Sequence, residues 1–317
     1  MKAEISYGKY QVGLYRTHAS PLSGLKAIPE SVFVGRSNTL FALQVNVEVF
    51  GDNFMPAYTH GDNSNVVATD TMKNFVLRQG LEFNGSTVEG FAYFLGARFL
   101  ATYPQMKRLR IEAVEQPFDN VPVPAGAEGG VVPSKVLFSR SANSRAFGVV
   151  EVERGDRDVR VLDHRAGING LQLIKITGSS FASFARDEYT TLPERVDRPL
   201  FIYLDVSWTY IAAAAITQED LSNYIAAEQV RDLLLVTFHD FVSMSIQHLI
   251  HEMGTRLLER FPQMRSVRFE AQNRLWDNAF SADEGAATIA GSGASPHVYT
   301  DPRPPYGLIR LELTRDY

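Results

Sequence analysis

Tyr103–Asp119 reads YPQMKRLRIEAVEQPFD, and Phe261–Asp277 reads FPQMRSVRFEAQNRLWD. The two stretches lie 158 residues apart, half the length of this 317-residue chain. Seven of their seventeen pairs are identical, and Tyr/Phe, Lys/Arg, Leu/Val, Ile/Phe and Phe/Trp are near-matches. Self-similarity at one fixed spacing marks a duplicated structural unit. Upstream, Val88, Phe91, Ala92, Leu95 and Phe99 recur at the spacing of one helix face. The same offset lands on Ile246, Leu249, Ile250, Met253 and Leu257, and carries Gly96 and Arg98 onto Gly254 and Arg256. A shorter helix before it also repeats, with Met72, Phe75 and Val76 over Val230, Leu233 and Leu234. Ser86-Thr-Val-Glu89 reads as a capping box for the longer helix, its Ser and Glu side chains serving the orphan amides of the first turn.

Strands flank these helix pairs. Leu43, Val45, Val47 and Val49 alternate with Gln44, Asn46 and Glu48, the period of a half-buried strand. Val149–Arg154, Val159–Asp163, Leu171–Thr177, Phe201–Trp208 and Leu308–Thr314 read as further strands, with loops at Pro122–Pro133 and Gly291–Pro305. Each half is then strand, strand, helix, helix, strand, strand. This is an α+β fold of tandem duplicated antiparallel units, residues 1–140 and 141–317, with the helix pairs on one face. Such a layout leaves sheet edges to be covered. Copies arranged around an axis close a barrel and remove those edges, so we expect an oligomer.

Composition narrows the function. Hydrophobic residues make up 45% and charged residues 21%, a globular balance that excludes disordered, collagen-like and low-complexity classes. The 31 basic and 36 acidic residues give a net charge of −5, which argues against a general nucleic-acid binder. With no cysteine there is no disulfide, thiolate nucleophile, iron–sulfur cluster or cysteine-bound zinc. The N-terminus has no apolar core of a signal peptide, and the longest apolar runs fall short of the ~20 residues of a spanning helix. Arg315-Asp316-Tyr317 is not a peroxisomal signal. A soluble, cytoplasmic protein without membrane contact is the expectation.

Few familiar chemical motifs occur. His248 and His251 stand at i, i+3 on a helix, without the HExxH order or an evident third ligand, so they read as a solvated face. Gly126–Gly130 lies between Pro-rich turns and lacks nucleotide-loop spacing. No G-x-S-x-G elbow is found. Thr59–Asn74, THGDNSNVVATDTMKN, places Thr69-Asp70-Thr71 at a helix start. Spacing alone favours a cap there, although free amides beside a hydroxyl also suit anionic oxygens.

Three blocks together are far more specific: Tyr7-Gly8-Lys9, Gly61-Asp-Asn-Ser with Val66-Val-Ala-Thr-Asp-Thr-Met-Lys-Asn74, and Phe181-Ala-Ser-Phe-Ala-Arg-Asp-Glu-Tyr-Thr-Thr-Leu192 followed by Asp197-Arg198. They resemble urate oxidase (uricase) over nearly the whole chain, and Ser245-Ile-Gln247 with Glu270-Ala-Gln-Asn-Arg274 resembles its Bacillus-like branch. The resemblance implies the tunnelling fold, a homotetramer with sites shared between subunits, no metal or organic cofactor, and urate and dioxygen as the partners. It implies that Arg198 clamps the pyrimidine edge of urate, where a planar guanidinium matches an anionic edge with two parallel bonds. Taken alone, Arg198 reads as a salt-bridge partner of Asp197 or Glu194. Gln247, with the Ile246 amide, would pair with the amide edge; its plain reading is a helix cap. Phe181 would stack on the purine; its plain reading is core packing. Thr69 and Asp70 would meet the five-membered ring through the backbone, Lys9 and Thr69 would relay protons, and Asn273 would hold water or dioxygen above the ring.

One position departs from the family. Where many members carry a relay histidine, two residues after the asparagine, this chain has Leu275. The departure bears on a three-member relay and leaves the Lys9–Thr69 pair and the clamp intact. The implied chemistry needs a base, orientation and a place for oxygen: deprotonated urate passes an electron to dioxygen, a C5 hydroperoxide forms, peroxide leaves and water adds to give 5-hydroxyisourate. Lys9 serves as base only with its pKa lowered by burial or nearby positive charge. The alternatives are another pterin or purine enzyme of this fold, or a purine-binding module without activity. Dioxygen uptake with urate separates them.

Overall fold

The structure is a computed structural model describing residues 3–126, 129–141, 144–156, 158–218, 220–281 and 296–316. The first half comprises β1 (Ser6–Thr17), β2 (Leu40–Phe50), α1 (Met55–Thr59), α2 (Thr69–Glu82), α3 (Val88–Thr102), β3 (Arg108–Glu115), β4 (Phe118–Pro124), β5 (Val131–Arg140) and β6 (Arg145–Arg154). The second comprises β7 (Val159–Lys175), β8 (Leu200–Tyr210), α4 (Ala214–Thr217), α5 (Ala227–Asp240), α6 (Ile246–Arg260), β9 (Met264–Leu275), β10 (Asn278–Ser281), β11 (His297–Tyr299) and β12 (Arg303–Thr314). Eight strands form one antiparallel sheet in the order β1-β2-β3-β6-β7-β8-β9-β12, and β4-β5 and β10-β11 are separate hairpins. The halves are thus four strands each, joined through β6–β7.

Alternation decides the two faces of the sheet. Val45, Val47 and Val49, Leu109, Ile111 and Ala113, Leu204, Val206 and Trp208, and Val267, Phe269 and Ala271 are all buried in one core against α3 and α6. The intervening residues are polar and pair along the opposite face. Arg108 Nε lies 2.6 Å and Arg110 Nη2 2.9 Å from the Glu151 carboxylate, Asn46 donates to Glu112 at 2.7 Å, and Arg310 Nε lies 2.8 Å from Glu270. Helices therefore cover only the apolar face.

The duplication is kept in fine detail. α5 and α6 begin and end 158 residues after α2 and α3. Thr87 caps α3 by accepting from the Gly90 amide at 3.1 Å, and Ser245, at the same offset, caps α6 by accepting from His248 at 3.1 Å. The cap of α3 is therefore Thr87, one residue beyond the expected Ser86. Glu89 is consequently the second helical residue, out of reach of a reciprocal box, and it turns inward instead. Helix C-termini are held by cations from the sheet, which satisfy their orphan carbonyls. Arg154 donates to Leu100, Tyr103 and Met106 carbonyls, and Arg315 to Leu258, Phe261 and Met264. Arg16 serves the end of α2 and Lys175 the end of α5 in the same way. Gly96 and Gly254 let the long helices approach the sheet: a Cβ at either would stand 2.7 Å from Val152 or Leu313.

Three expectations are corrected. Val159–Asp163 and Leu171–Thr177 belong to one strand, β7, whose bulge between Ile168 and Leu171 turns on Gly170 at φ 78°. Local sequence reads the bulge as a break because its residues leave the alternation. The two ends of Pro122–Pro133 are strand, with Pro122 opposite Pro133, and only the middle is loop, residues 127 and 128 lying outside the described residues; a two-stranded ribbon tolerates proline because each strand keeps a free edge. Within Gly291–Pro305, residues 291–295 lie outside the described residues, 300–302 are loop, and β11 and the start of β12 lie on either side of them, so the last strand begins at Arg303 instead of Leu308.

Candidate active site

A cleft of about 730 Å³ opens at the second half, lined by Phe181, Arg198, Ile246, Gln247 and Asn273 among others. Three distant segments are stitched together to make it. Ser179 bridges Ser243, just before α6, and the Ser180 amide donates to the Ser243 carbonyl at 2.8 Å. On the other side, the Arg198 amide donates to Ser179 at 2.8 Å, and Phe181 and Arg195 exchange backbone bonds at 2.8 and 2.9 Å. Asp197 braces the turn, accepting from the Thr177 hydroxyl at 2.6 Å and the Gly178 amide at 2.7 Å. These bonds hold its carboxyl below the usual range.

Asp197 is engaged with that turn, so it does not neutralise Arg198. Among the described residues Arg198 has no ion pair, and its Nε is buried without a hydrogen-bond partner. Its Cζ sits 5.5 Å from the centroid of Phe181, and burial pulls its pKa down. A partly desolvated guanidinium lacking a carboxylate suits a planar anion. Phe181 is half-buried, stacked on Phe184 at 4.9 Å and 12°. Gln247 is exposed on the first turn of α6 with no side-chain bond among the described residues, Ser245 being the cap. Ile246, the first helical residue, presents a first-turn amide. Asn273 lies near the end of β9, and beyond it Trp276 stacks on Tyr299 at 4.3 Å to form the far wall. The backbone of Leu275 pairs with Arg303.

Lys9, Thr69 and Asp70 do not line this cleft. They gather at a second place, the start of α2 beside β1. Thr69 and Asp70 are exposed in the first turn, and no side chain caps that helix. Lys73 at 2.5 Å, and more weakly the charge of half-buried Lys9, keep the Asp70 carboxyl low. The Tyr7 hydroxyl accepts from the Val67 amide at 3.2 Å and fixes the approach to the helix. His248 sits edge-on to Phe241 at 4.7 Å. Among the described residues no three His, Asp or Glu side chains gather as metal ligands, and no helix is long and apolar enough to cross a membrane.

A smaller pocket of about 290 Å³ lies at the junction of the two halves, lined by Glu115, Phe118, Ile168, Ala227 and Glu228 among others. It is the internal counterpart of the cleft. Glu115 and Phe118 stand 158 residues before Asn273 and Trp276; Ala227 and Glu228 stand 158 after Thr69 and Asp70; Ile168 follows Lys9 by 159. The shared bulge fixes the last match. The Gln11 amide donates to Asn46 at 2.7 Å in β1, as the Gly170 amide does to Asp205 at 2.6 Å in β7. The junction therefore joins in one pocket the counterparts of the two groups that stand apart elsewhere.

Comparison with known proteins decides the family. The uricase family model matches residues 48–151 and 164–310. The chain belongs to the uricase family. It is 45% identical to a uricase of Halalkalicoccus jeotgali, covering 93% of this chain and 96% of that one. It is 44% identical to a bifunctional uric acid degradation protein of Bacillus subtilis, covering 100% of this chain but spanning only 62% of that relative's length. Crystal structures of a Bacillus fastidious uricase (TM-score 0.91, 40% identity, 99% of this chain and 94% of that one) and of Bacillus sp. TB-90 urate oxidase (TM-score 0.90, 40% identity, 98% and 100%) share its fold. This uricase-family chain also lines its cleft with Arg195, Arg274 and Trp276, to none of which the sequence assigned a role. Arg195 lies three residues before Arg198, in the gap between the quoted Phe181–Leu192 and Asp197-Arg198. The only sequence signal for Trp276 is its pairing with Phe118 in the repeat.

Proposed function

We propose that this chain oxidises urate with dioxygen, releasing hydrogen peroxide and 5-hydroxyisourate, without metal or organic cofactor. The observation that carries the reading is the cleft of Arg198, which has no ion pair among the described residues, Phe181, exposed Gln247 beside the Ile246 amide, and Asn273. Its groups suit a flat, hydrogen-bonding anion: a fork for one edge, a donor–acceptor amide for the other, and an aromatic ring for the face. Urate gives one electron to dioxygen, the radical pair joins at C5, peroxide leaves and water adds. The protein orients the ring, keeps Asn273 over one face and moves protons through Lys9 and Thr69. The test is disappearance of the urate ultraviolet band on adding protein, with dioxygen consumed and peroxide formed in step. Binding without dioxygen uptake would leave a purine-binding module.

The reading includes a homotetramer whose sites are shared, Lys9, Thr69 and Asp70 coming from one copy and Phe181, Arg198, Ile246, Gln247 and Asn273 from its partner. The internal junction supports it. There β6 meets β7, and the start of α5 arrives at the end of β3. The same packing between copies would pair edge strand β12 with edge strand β1 of the next and bring α2 to the end of β9. The polar, ion-paired face of the sheet would then line a hydrated barrel. We propose two repeat units, expected at 1–140 and 141–317, with the boundary moved past β6, because β6 starts 158 residues before β12 and closes the first four strands as β12 closes the second. The cytoplasm is the proposed setting, which the lack of cysteine suits.

A further inference from the structure

We infer that Arg195 of one copy pairs with Asp70 of the partner subunit, and that this ion pair holds the helix corner carrying Thr69 against the cleft. The inference rests on the shared-site reading. The internal junction shows the arrangement already closed. Arg36 reaches from the first half to the second, its Nη1 lying 3.0 Å from Glu228 Oε1 on α5 and 2.5 Å from Glu115 Oε1 at the end of β3. A short antiparallel bridge to Leu22, with bonds of 2.9 and 2.9 Å, puts Arg36 there. The same bridge recurs 159 residues later as Phe181 with Arg195, at 2.8 and 2.9 Å. Arg195 thus leaves the backbone where Arg36 does, and Asp70 occupies on α2 the place of Glu228 on α5.

These two positions keep their charges across the repeat, whereas the clamp and relay positions change type: Arg198 faces Thr39 as its counterpart, Gln247 faces Glu89, and Lys9 faces Ile168. Among the described residues neither charge has its junction partner. Arg195 is exposed on the cleft wall with no ion pair among the described residues, and Asp70 is exposed beside Lys73. Asn273 stands where Glu115 shares Arg36, so at that position the chain has no carboxylate for Arg195 and leaves it to the incoming one. A pair closed between two surfaces loses water and couples more strongly than an exposed pair. Arg195 is on this account a positioning residue, acting on the reaction through the placement of Thr69.

The test is a charge-reversal cycle in the full chain: Arg195→Glu, Asp70→Lys and the double variant. Sedimentation over a protein dilution series gives the oligomer dissociation constant, and urate kinetics give KM and kcat. Each single reversal should raise the dissociation constant and KM by about tenfold or more, with kcat changed less, and the double variant should recover most of both. Single effects that multiply in the double variant, or a wild-type Arg195→Glu protein, overturn the pair. If the reversals do not fold, Arg195→Gln and Asp70→Asn form a neutral cycle read the same way. A protein that assembles but does not oxidise urate would end the reaction reading, while the sedimentation arm still decides the ion pair.

Discussion

At the scale of single residues, the cleft depends on what Arg198 lacks. Its charge is partly desolvated and has no ion pair among the described residues, so its donors are available to an incoming anion. Arg198→Lys supplies charge without the fork and should cost about 2–5 kcal/mol in kcat/KM with the fold intact, measured by steady-state kinetics beside circular dichroism. Near-normal turnover would exclude the clamp. Glu89 is the opposite case. It is buried, bonded by the Tyr224 hydroxyl at 3.0 Å, and raised to about 7 chiefly by burial, with Glu228 and Glu115 adding to it. A carboxyl raised on folding binds more protons in the native than in the unfolded state. Stability therefore falls as pH rises from about 4.5 to about 7 and is level above that. Glu89→Gln keeps the Tyr224 contact and removes the titration. Denaturation at pH 5 and pH 8 should show a smaller loss in the variant, by up to about 3 kcal/mol; equal slopes would assign the pH dependence elsewhere. The sequence placed Glu89 in a cap because Ser-x-x-Glu is a local pattern, whereas its burial follows from the arrival of Tyr224 from 135 residues away.

At the scale of elements, the helices were legible and the bulges were not. Apolar spacing is a property of neighbours, so α3 and α6 could be read from Val88–Phe99 and Ile246–Leu257. The bulge in β7 exists because Asp205 of β8 captures the Gly170 amide, a partner that periodicity does not contain. The helix ends are also tertiary: Arg154 and Arg315 sit in or just after sheet strands and close carbonyls of α3 and α6. Arg154→Met keeps the stem and removes the donors. It should destabilise by about 1–3 kcal/mol and lower Tm by several degrees, the usual range for bonds to a charged donor. An unchanged melting curve would mean that water serves those carbonyls equally well.

At the scale of the whole molecule, a shared site predicts complementation. Thr69→Ala and Arg198→Ala chains should each be nearly inactive, yet partly active when co-expressed. In a mixed pair one site collects both lesions and the other none. Size exclusion must first show that the chains assemble as a tetramer and that mixed oligomers form. Mixed oligomers as inactive as the parents would place both groups of residues within one chain.

The sequence by itself determined the duplication, the helix faces, the antiparallel α+β class and, through long family blocks, the residues to look for. These are carried by spacing and composition along the chain, where a periodic burial demand leaves a periodic pattern. The tertiary structure decided which of those residues meet. It gathered Phe181, Arg198, Gln247 and Asn273 through the braces at Ser179 and Ser243, left Lys9, Thr69 and Asp70 apart, and showed at the Arg36 junction how such groups pack when they come together. Contacts between segments so far apart in the chain are set by sheet order and register, which no local window of sequence contains.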